Sequence, residues 1–368
     1  MMSYITSIGT ATPNHRFSQD EIATFMIHAM QLTEEEARKL KALYRATGID
    51  SRYSVVEDYG KKSDFTFFPN ADEGEPFPST QQRMKLFQEH AIEVSERAAR
   101  NCLSKITGFN VEDVTHLVVV SCTGMYAPGL DIDLVRKLKL KSSVQRTCIN
   151  FMGCYAAFNA MKLAHSVCAS DEHASVLVVC AELCSIHFQK ENTEDNWLAN
   201  SLFADGAAAV LVESIPRKGI NLKPLHFHCD LALNGDKDMA WSIGDNGFEM
   251  RLSSYIPDII REGIKKLTHT LLQQINRRQE DVSYFAIHPG GKRILEVIEE
   301  ELRITKEQNK FAYEVLRRYG NMSSPTVLFV LNDIYNELTP DDQNKEIVSF
   351  AFGPGLTMES MLLKTEVH

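Results

Sequence analysis

His116-Leu117-Val118-Val119-Val120-Ser121 places four large aliphatic residues in a row, three of them β-branched. Branching at Cβ favours extended backbone. The run lacks the polar alternation of a half-solvated strand, so it reads as a strand covered on both faces of a sheet. Working outward, runs of similar character stand at 4–9, 175–181 and 207–212, and then at 222–230, 284–288, 347–352 and 357–363. Helical patterns lie between them at 81–106, 155–169, 256–278, 295–302 and 325–337; the third carries Ile259, Ile260, Ile264 and Leu267 on one stripe. Alternating strands and helices predict a layered α/β architecture. Residues 57–80 mix Gly, Pro, Asp, Lys and three close phenylalanines without a period, and are expected to form a surface excursion. Pro216-Arg217-Lys218-Gly219 reads as a linker between an N-terminal half, 1–215, and a C-terminal half, 220–368. The halves share strand–helix–strand order without a visible sequence repeat.

Composition narrows the function classes. The chain has 368 residues, 44% hydrophobic and 24% charged, which is ordinary for a globular protein of about two domains or one large unit. Its net charge of −10, with no long cluster of Lys and Arg, argues against nucleic acid as a partner. No apolar run approaches the roughly 18 residues of a membrane span, and no signal peptide is visible, so a cytoplasmic location is expected. The eight cysteines, at 102, 122, 148, 154, 168, 180, 184 and 229, show no paired zinc spacing. Free thiols and no metal are the expectation.

Four segments carry candidate chemistry. In Asn150-Phe151-Met152-Gly153-Cys154-Tyr155-Ala156-Ala157, a cysteine opens an Ala-rich helix, where free N–H groups and the helix dipole favour a thiolate. A buried structural cysteine fits the same segment. In Ala286-Ile287-His288-Pro289-Gly290-Gly291 a histidine ends an apolar strand, a usual place for catalysis in α/β sheets, although a core histidine would look alike. Tyr319-Gly320-Asn321-Met322-Ser323-Ser324-Pro325 precedes a helix and also fits an N-cap. Phe352-Gly353-Pro354-Gly355-Leu356-Thr357 by itself says only that the chain turns.

Taken together and in order, these segments resemble the type III polyketide synthases, the chalcone-synthase-like branch of the thiolase superfamily. Cys154, His288 and Asn321 are similar to that family's Cys–His–Asn triad. Gly320–Ser324 and Gly353-Pro354-Gly355 look like its C-terminal signatures, and Leu202-Phe203-Ala204-Asp205-Gly206 looks like the segment bearing its first gatekeeper phenylalanine. The resemblance runs from about residue 4 to 364. It implies a thiolase fold, layered αβαβα with two similar halves, acting as a homodimer on acyl-CoA and malonyl-CoA with no cofactor beyond CoA itself. It further implies that Cys154 carries the acyl chain as the partner of an imidazolium at His288, that His288 and Asn321 stabilise the malonyl-derived enolate, and that Phe203 walls the decarboxylation site. Arg45 and Arg52 are candidates for the CoA phosphates, or equally for a solvated face, and Ser323 for the substrate pocket.

Departures from the plant pattern concern the product. Met250 stands where plant members have a second gatekeeper phenylalanine, and Trp241 and His187 replace a glycine and a threonine, so the plant-type cavity is expected to shrink. Thr123, Ala127 and Cys184 are small at positions where relatives with long acyl starters open a tunnel. The resemblance thus implies a bacterial-type alkylpyrone or alkylresorcinol synthase using a medium- or long-chain fatty acyl starter. An aromatic or short starter, or a β-ketoacyl synthase III using an acyl carrier protein, are the alternatives.

Overall fold

The computed structural model describes residues 2–70, 76–232, 239–253 and 255–368. The N-terminal half runs β1 (Tyr4–Ala11), β2 (His15–Ser18), α1 (Gln19–Ala29), α2 (Glu34–Ala46), β3 (Ser51–Ser54), α3 (Thr80–Leu103), β4 (His116–Ser121), α4 (Leu130–Leu138), β5 (Gln145–Asn150), α5 (Ala156–Ser170), β6 (Ser175–Leu183), α6 (Glu194–Leu202) and β7 (Asp205–Glu213). The C-terminal half runs β8 (Ile220–Leu231), β9 (Met239–Gly244), β10 (Gly247–Leu252), α7 (Ile256–Gln273), β11 (Val282–Ile287), α8 (Lys292–Leu302), α9 (Lys310–Tyr319), α10 (Thr326–Glu337), β12 (Glu346–Gly353) and β13 (Thr357–Val367).

The halves repeat one pairing scheme. In the first, β1 pairs antiparallel with β7, β7 antiparallel with β6, and β6, β4 and β5 lie parallel. In the second, β8 pairs antiparallel with β13, β13 antiparallel with β12, and β12 lies parallel to β11. The two sheets join where Ile5 pairs with Leu222.

Strand alternation then builds the layers. Val118, Val120, Val176, Val178, Val210 and Val212 face a central core with Ile347, Met361 and Leu363 from the other sheet. Their neighbours Leu117, Val119, Leu177, Val179 and Leu211 face an outer core covered by α1, α3 and α4. On the far side Val348, Phe350 and Leu362 meet α7 and α8. The two central helices, α5 and α10, fill the space between the sheets. Ala156, Ala157, Ala160 and Ala164 keep α5 slim enough for both sheets to approach it. This is the αβαβα arrangement of the thiolase fold, as the sequence implies.

Three expectations change. The segment 57–80 is not a surface excursion where it is described. Buried Asp58 accepts hydrogen bonds from the N–H groups of Thr66, Phe67 and Phe68 at 2.8–2.9 Å and from the Thr66 hydroxyl at 3.0 Å, and Phe65, Phe67, Phe68 and Phe77 pack into the outer core. One carboxylate gathers the loop, so the aromatic residues are buried without any period; residues 71–75 lie outside the described residues. The helix expected to 278 ends at Gln273, and that expected to 106 ends at Leu103. Strand β5, which the sequence did not announce, is mostly exposed at the edge of the sheet, so its Gln-Arg-Thr-Cys-Ile-Asn sequence carries no hydrophobic pattern.

Candidate active site

Cys154 stands where β5 hands over to α5. Phe151 and Gly153 both take positive φ (63° and 78°), turning the chain sharply into the helix. A Cβ at residue 153 would lie 2.4 Å from Pro354 Cδ, so glycine is required both by backbone conformation and by the Gly353-Pro354-Gly355 loop seated on it. Asn321 is tied to the Phe203 segment: Asn321 N donates to Leu202 O at 2.9 Å, and Ala204 N donates to Asn321 O at 2.8 Å. Met322 packs so tightly on Gly206 that a Cβ there would meet its sulfur at 2.4 Å. Thus segments scattered over two hundred residues form one contiguous site.

The geometry brings Cys154, His288 and Asn321 to one cavity. Asn321 Oδ1 accepts from Ser323 N at 2.8 Å, which fixes the amide; Nδ2 donates to Gly290 O at 3.2 Å, and the Cys154 thiol lies 4.0 Å from Oδ1. His288 N donates to Phe350 O at 2.8 Å. Its ring is wholly buried, and neither ring nitrogen has a hydrogen-bond partner among the described residues. Burial pushes the Cys154 thiol up to about 12, with the polar side chains of Ser323 and Asn321 acting the other way, and pushes His288 down to about 3. Burial therefore opposes a charge on either group taken alone, and the ion pair that the resemblance implies needs both charges to form together.

The cavity holds about 370 Å³. Phe203, Met250, Thr123, Cys184, His187, Trp241 and Ser323 all line it. His187 Nε2–H donates to Thr123 O at 2.6 Å and its Nδ1 accepts from Phe248 N at 2.9 Å, which sets the tautomer. Its ring stacks on Phe248 (centroids 4.4 Å apart, 10° between planes) and meets Trp241 edge-on. Trp241 Nε1 donates to Cys122 O at 2.7 Å. The bulky pair is thus pinned, closing the β9–β10 hairpin over the cavity. Ala127 sits on an exposed loop outside the lining, so within one chain only Thr123 and Cys184 of the three small residues share the cavity wall.

The two arginines separate. Arg45 is exposed on α2, outside the cavity lining. Arg52 is buried; its Nε donates to Gln19 Oε1 and its Nη1 to the carbonyls of Asn200 (2.8 Å) and Phe203 (2.6 Å), so it fixes the Phe203 backbone. Arg52 nevertheless lines the cavity, its Nη2 without a hydrogen-bond partner among the described residues, and Lys292 and Arg293, at the start of α8 directly after Gly290-Gly291, line it too. Two cations following the His-Pro-Gly-Gly turn were the sequence signal for them. The reading also missed Glu182. This buried carboxylate accepts from Cys122 N, Thr123 N, the Thr123 hydroxyl (2.7 Å) and the Ser324 hydroxyl (2.5 Å), and burial raises its pKa. A single charge inside the apolar run Ser175–Leu183 was its signature. Arg83, buried between Phe68 and Phe77, braces the same wall through the carbonyls of Ile186 and Phe188.

A cysteine at the head of one central helix, an asparagine just ahead of the other and a histidine at the end of β11, set in a five-layer fold, have the form of a thiolase-type condensing enzyme. The chain belongs to the chalcone and stilbene synthase family: the family's N-terminal domain matches residues 2–216 and its C-terminal domain residues 227–367. It is 29% identical over 369 residues to the alpha-pyrone synthesis polyketide synthase-like Pks18 of Mycobacterium tuberculosis, covering 98% of this chain and 91% of that one. It is 30% identical over 374 residues to a probable polyketide synthase 1 of Dictyostelium discoideum; that match covers 99% of this chain but spans only 12% of the longer protein. The crystal structure of the C-terminal type III polyketide synthase domain of Steely1, a Dictyostelium hybrid, superposes with a TM-score of 0.91 at 29% identity, covering 100% of both chains. The protein is a type III polyketide synthase, an acyltransferase that condenses malonyl-CoA. Among the described residues no helix is long and apolar enough to cross a membrane, and no group of three or more His, Cys, Asp or Glu could hold a metal ion.

Proposed function

We propose that the chain takes a medium- or long-chain fatty acyl group from CoA onto Cys154, extends it with malonyl units and releases alkyl α-pyrones or alkylresorcinols. The observation that carries the catalytic part is the wholly buried His288 ring, neither nitrogen of which has a partner among the described residues, in the same cavity as Cys154 and the oriented Asn321 amide. Proton transfer from Cys154 to His288 creates both charges at once, so their mutual attraction offsets the burial that disfavours either alone. The thiolate attacks the thioester carbonyl, and the departing CoA sulfur takes the proton from His288. Malonyl-CoA then loses CO2, and the electron pair moves onto its thioester oxygen. His288 Nε2–H and Asn321 Nδ2–H donate to that oxygen, each such donor being worth about 3 kcal/mol in a dry site. The carbanion attacks the acyl group on Cys154, whose sulfur leaves. Phe203 supplies the apolar wall that favours loss of neutral CO2.

Lys292 and Arg293 are the cations this reading assigns to the CoA phosphates at the mouth, in place of Arg45. The apolar lining and the 29% identity to an alpha-pyrone-synthesis relative support an alkyl starter. Two copies pair in this reading, covering the exposed edge strand β5 and bringing Ala127 toward the neighbouring cavity.

The test is an incubation series read by mass spectrometry, with malonyl-CoA and starters from acetyl- to stearoyl-CoA plus benzoyl- and coumaroyl-CoA. Triketide and tetraketide masses peaking at long alkyl starters are expected. A peak at aromatic or short starters overturns the starter assignment, and product formed only with acyl carrier protein overturns the use of CoA.

A further inference from the structure

Three of the eight cysteines, Cys122, Cys154 and Cys184, line the same cavity. Two of them share one neighbour. The Ser323 hydroxyl lies 3.3 Å from Cys122 Sγ, and Ser323 lines the cavity together with Cys154 and draws that thiol's pKa down. Ser323 is held rigidly at φ 59°, with its N–H on Asn321 Oδ1. The backbones run side by side as well. Ser121 pairs with Asn150 in the β4–β5 register, and Phe151 N donates to Ser121 O at 3.1 Å, so Cys122 lies beside the short turn that ends at Cys154. A second thiol therefore stands close to the proposed nucleophile on the wall of the same cavity.

We propose that Cys122 is a resolving thiol for Cys154, and that hydrogen peroxide converts the pair into a reversible intramolecular disulfide that switches condensation off. The inference rests on the reading of Cys154 as the nucleophile. The Cys154 thiolate, formed when His288 takes its proton, attacks one peroxide oxygen; the O–O bond breaks, and the departing hydroxide takes the imidazolium proton to become water. Cys154 is now a sulfenic acid. Cys122 sulfur attacks the Cys154 sulfur, the S–O bond breaks, and hydroxide leaves with the Cys122 proton as a second water. Two thiols lose two electrons in all and one peroxide is reduced to two waters. Closure leaves the Cys154 sulfur unavailable for acylation. It also stops Cys154 before the sulfinic stage, from which thiols do not recover it.

The experiment uses the full chain. Fatty acyl-CoA alone is added first, and an acyl adduct on Cys154 by peptide mass spectrometry checks the underlying reading separately. A second sample, never exposed to acyl-CoA, is treated with hydrogen peroxide and mapped without reduction. A Cys122–Cys154 linked peptide, two hydrogens lighter than the free pair, is expected, with loss of condensation that dithiothreitol reverses. In Cys122→Thr the same dose is expected to drive Cys154 to sulfinic acid, with no recovery by dithiothreitol relative to that variant's own untreated activity. Acyl adduct present but Cys154 sulfinylated in the unmutated chain with Cys122 still a thiol overturns the proposal, as does a disulfide to Cys184. The map on the unmutated protein decides the matter even if the variant fails to fold.

Discussion

Replacing His187 by Phe separates the hydrogen bonds of this side chain from its bulk. The phenyl ring keeps the stack on Phe248, while Thr123 O and Phe248 N lose their partners in a buried setting. Each stranded backbone group costs about 1–3 kcal/mol, so a net loss of about 2–4 kcal/mol is expected at pH 7. Acid should shrink that cost. Burial holds His187 down to about 3 in the fold, against about 6.5 in the unfolded chain, so the unfolded chain takes the proton first. The stability carried by neutral His187 is present above about pH 6.5 and is lost as pH falls toward about 3. At 1.36 kcal/mol per unit, pH 5 removes about 2 kcal/mol from the parent that the Phe variant does not have to lose. His288 behaves alike in both proteins and cancels from the comparison. Equilibrium urea unfolding at pH 7 and pH 5, at one protein concentration, reads the difference. A cost below about 1 kcal/mol at pH 7, or one that does not shrink at pH 5, refutes the clamp.

Three further outcomes are expected. Asn321→Ala removes one enolate donor and should lower malonyl-CoA decarboxylation by about 10²–10³ while leaving acyl loading of Cys154 measurable by intact mass. Cys184→Phe fills the cavity wall and should abolish long-starter products while sparing short ones; an unchanged chain-length profile would remove Cys184 from the starter pocket. Lys292→Ala with Arg293→Ala should raise KM for CoA thioesters and leave turnover of truncated N-acetylcysteamine thioesters unaltered, whereas equal losses on both would show that the pair does not meet the CoA phosphates.

What the sequence itself determined was local. Valine-rich runs such as 117–120 can satisfy their side chains only between two layers, and the Gly-Cys-Tyr-Ala-Ala turn can only open a slim helix, so strands and central helices were legible one segment at a time, whereas Cys154, His288 and Asn321 stood out as candidates only when their segments were taken together and in order. Meetings between distant segments were decided by tertiary packing. Nothing in residue 153 alone announces Pro354, and nothing in Arg52 announces that its Nη1 holds the carbonyls of Asn200 and Phe203. Asp58 and Arg83 were invisible as buried groups, and Glu182 was marked only by its apolar neighbours, because a charge is buried only where several distant donors or acceptors converge on it. Strand β5 was missed for the converse reason: it faces outward, where no hydrophobic period marks it. Local pattern fixes which face of an element leaves water, whereas the partner it meets there depends on the shape of every other element in the layer.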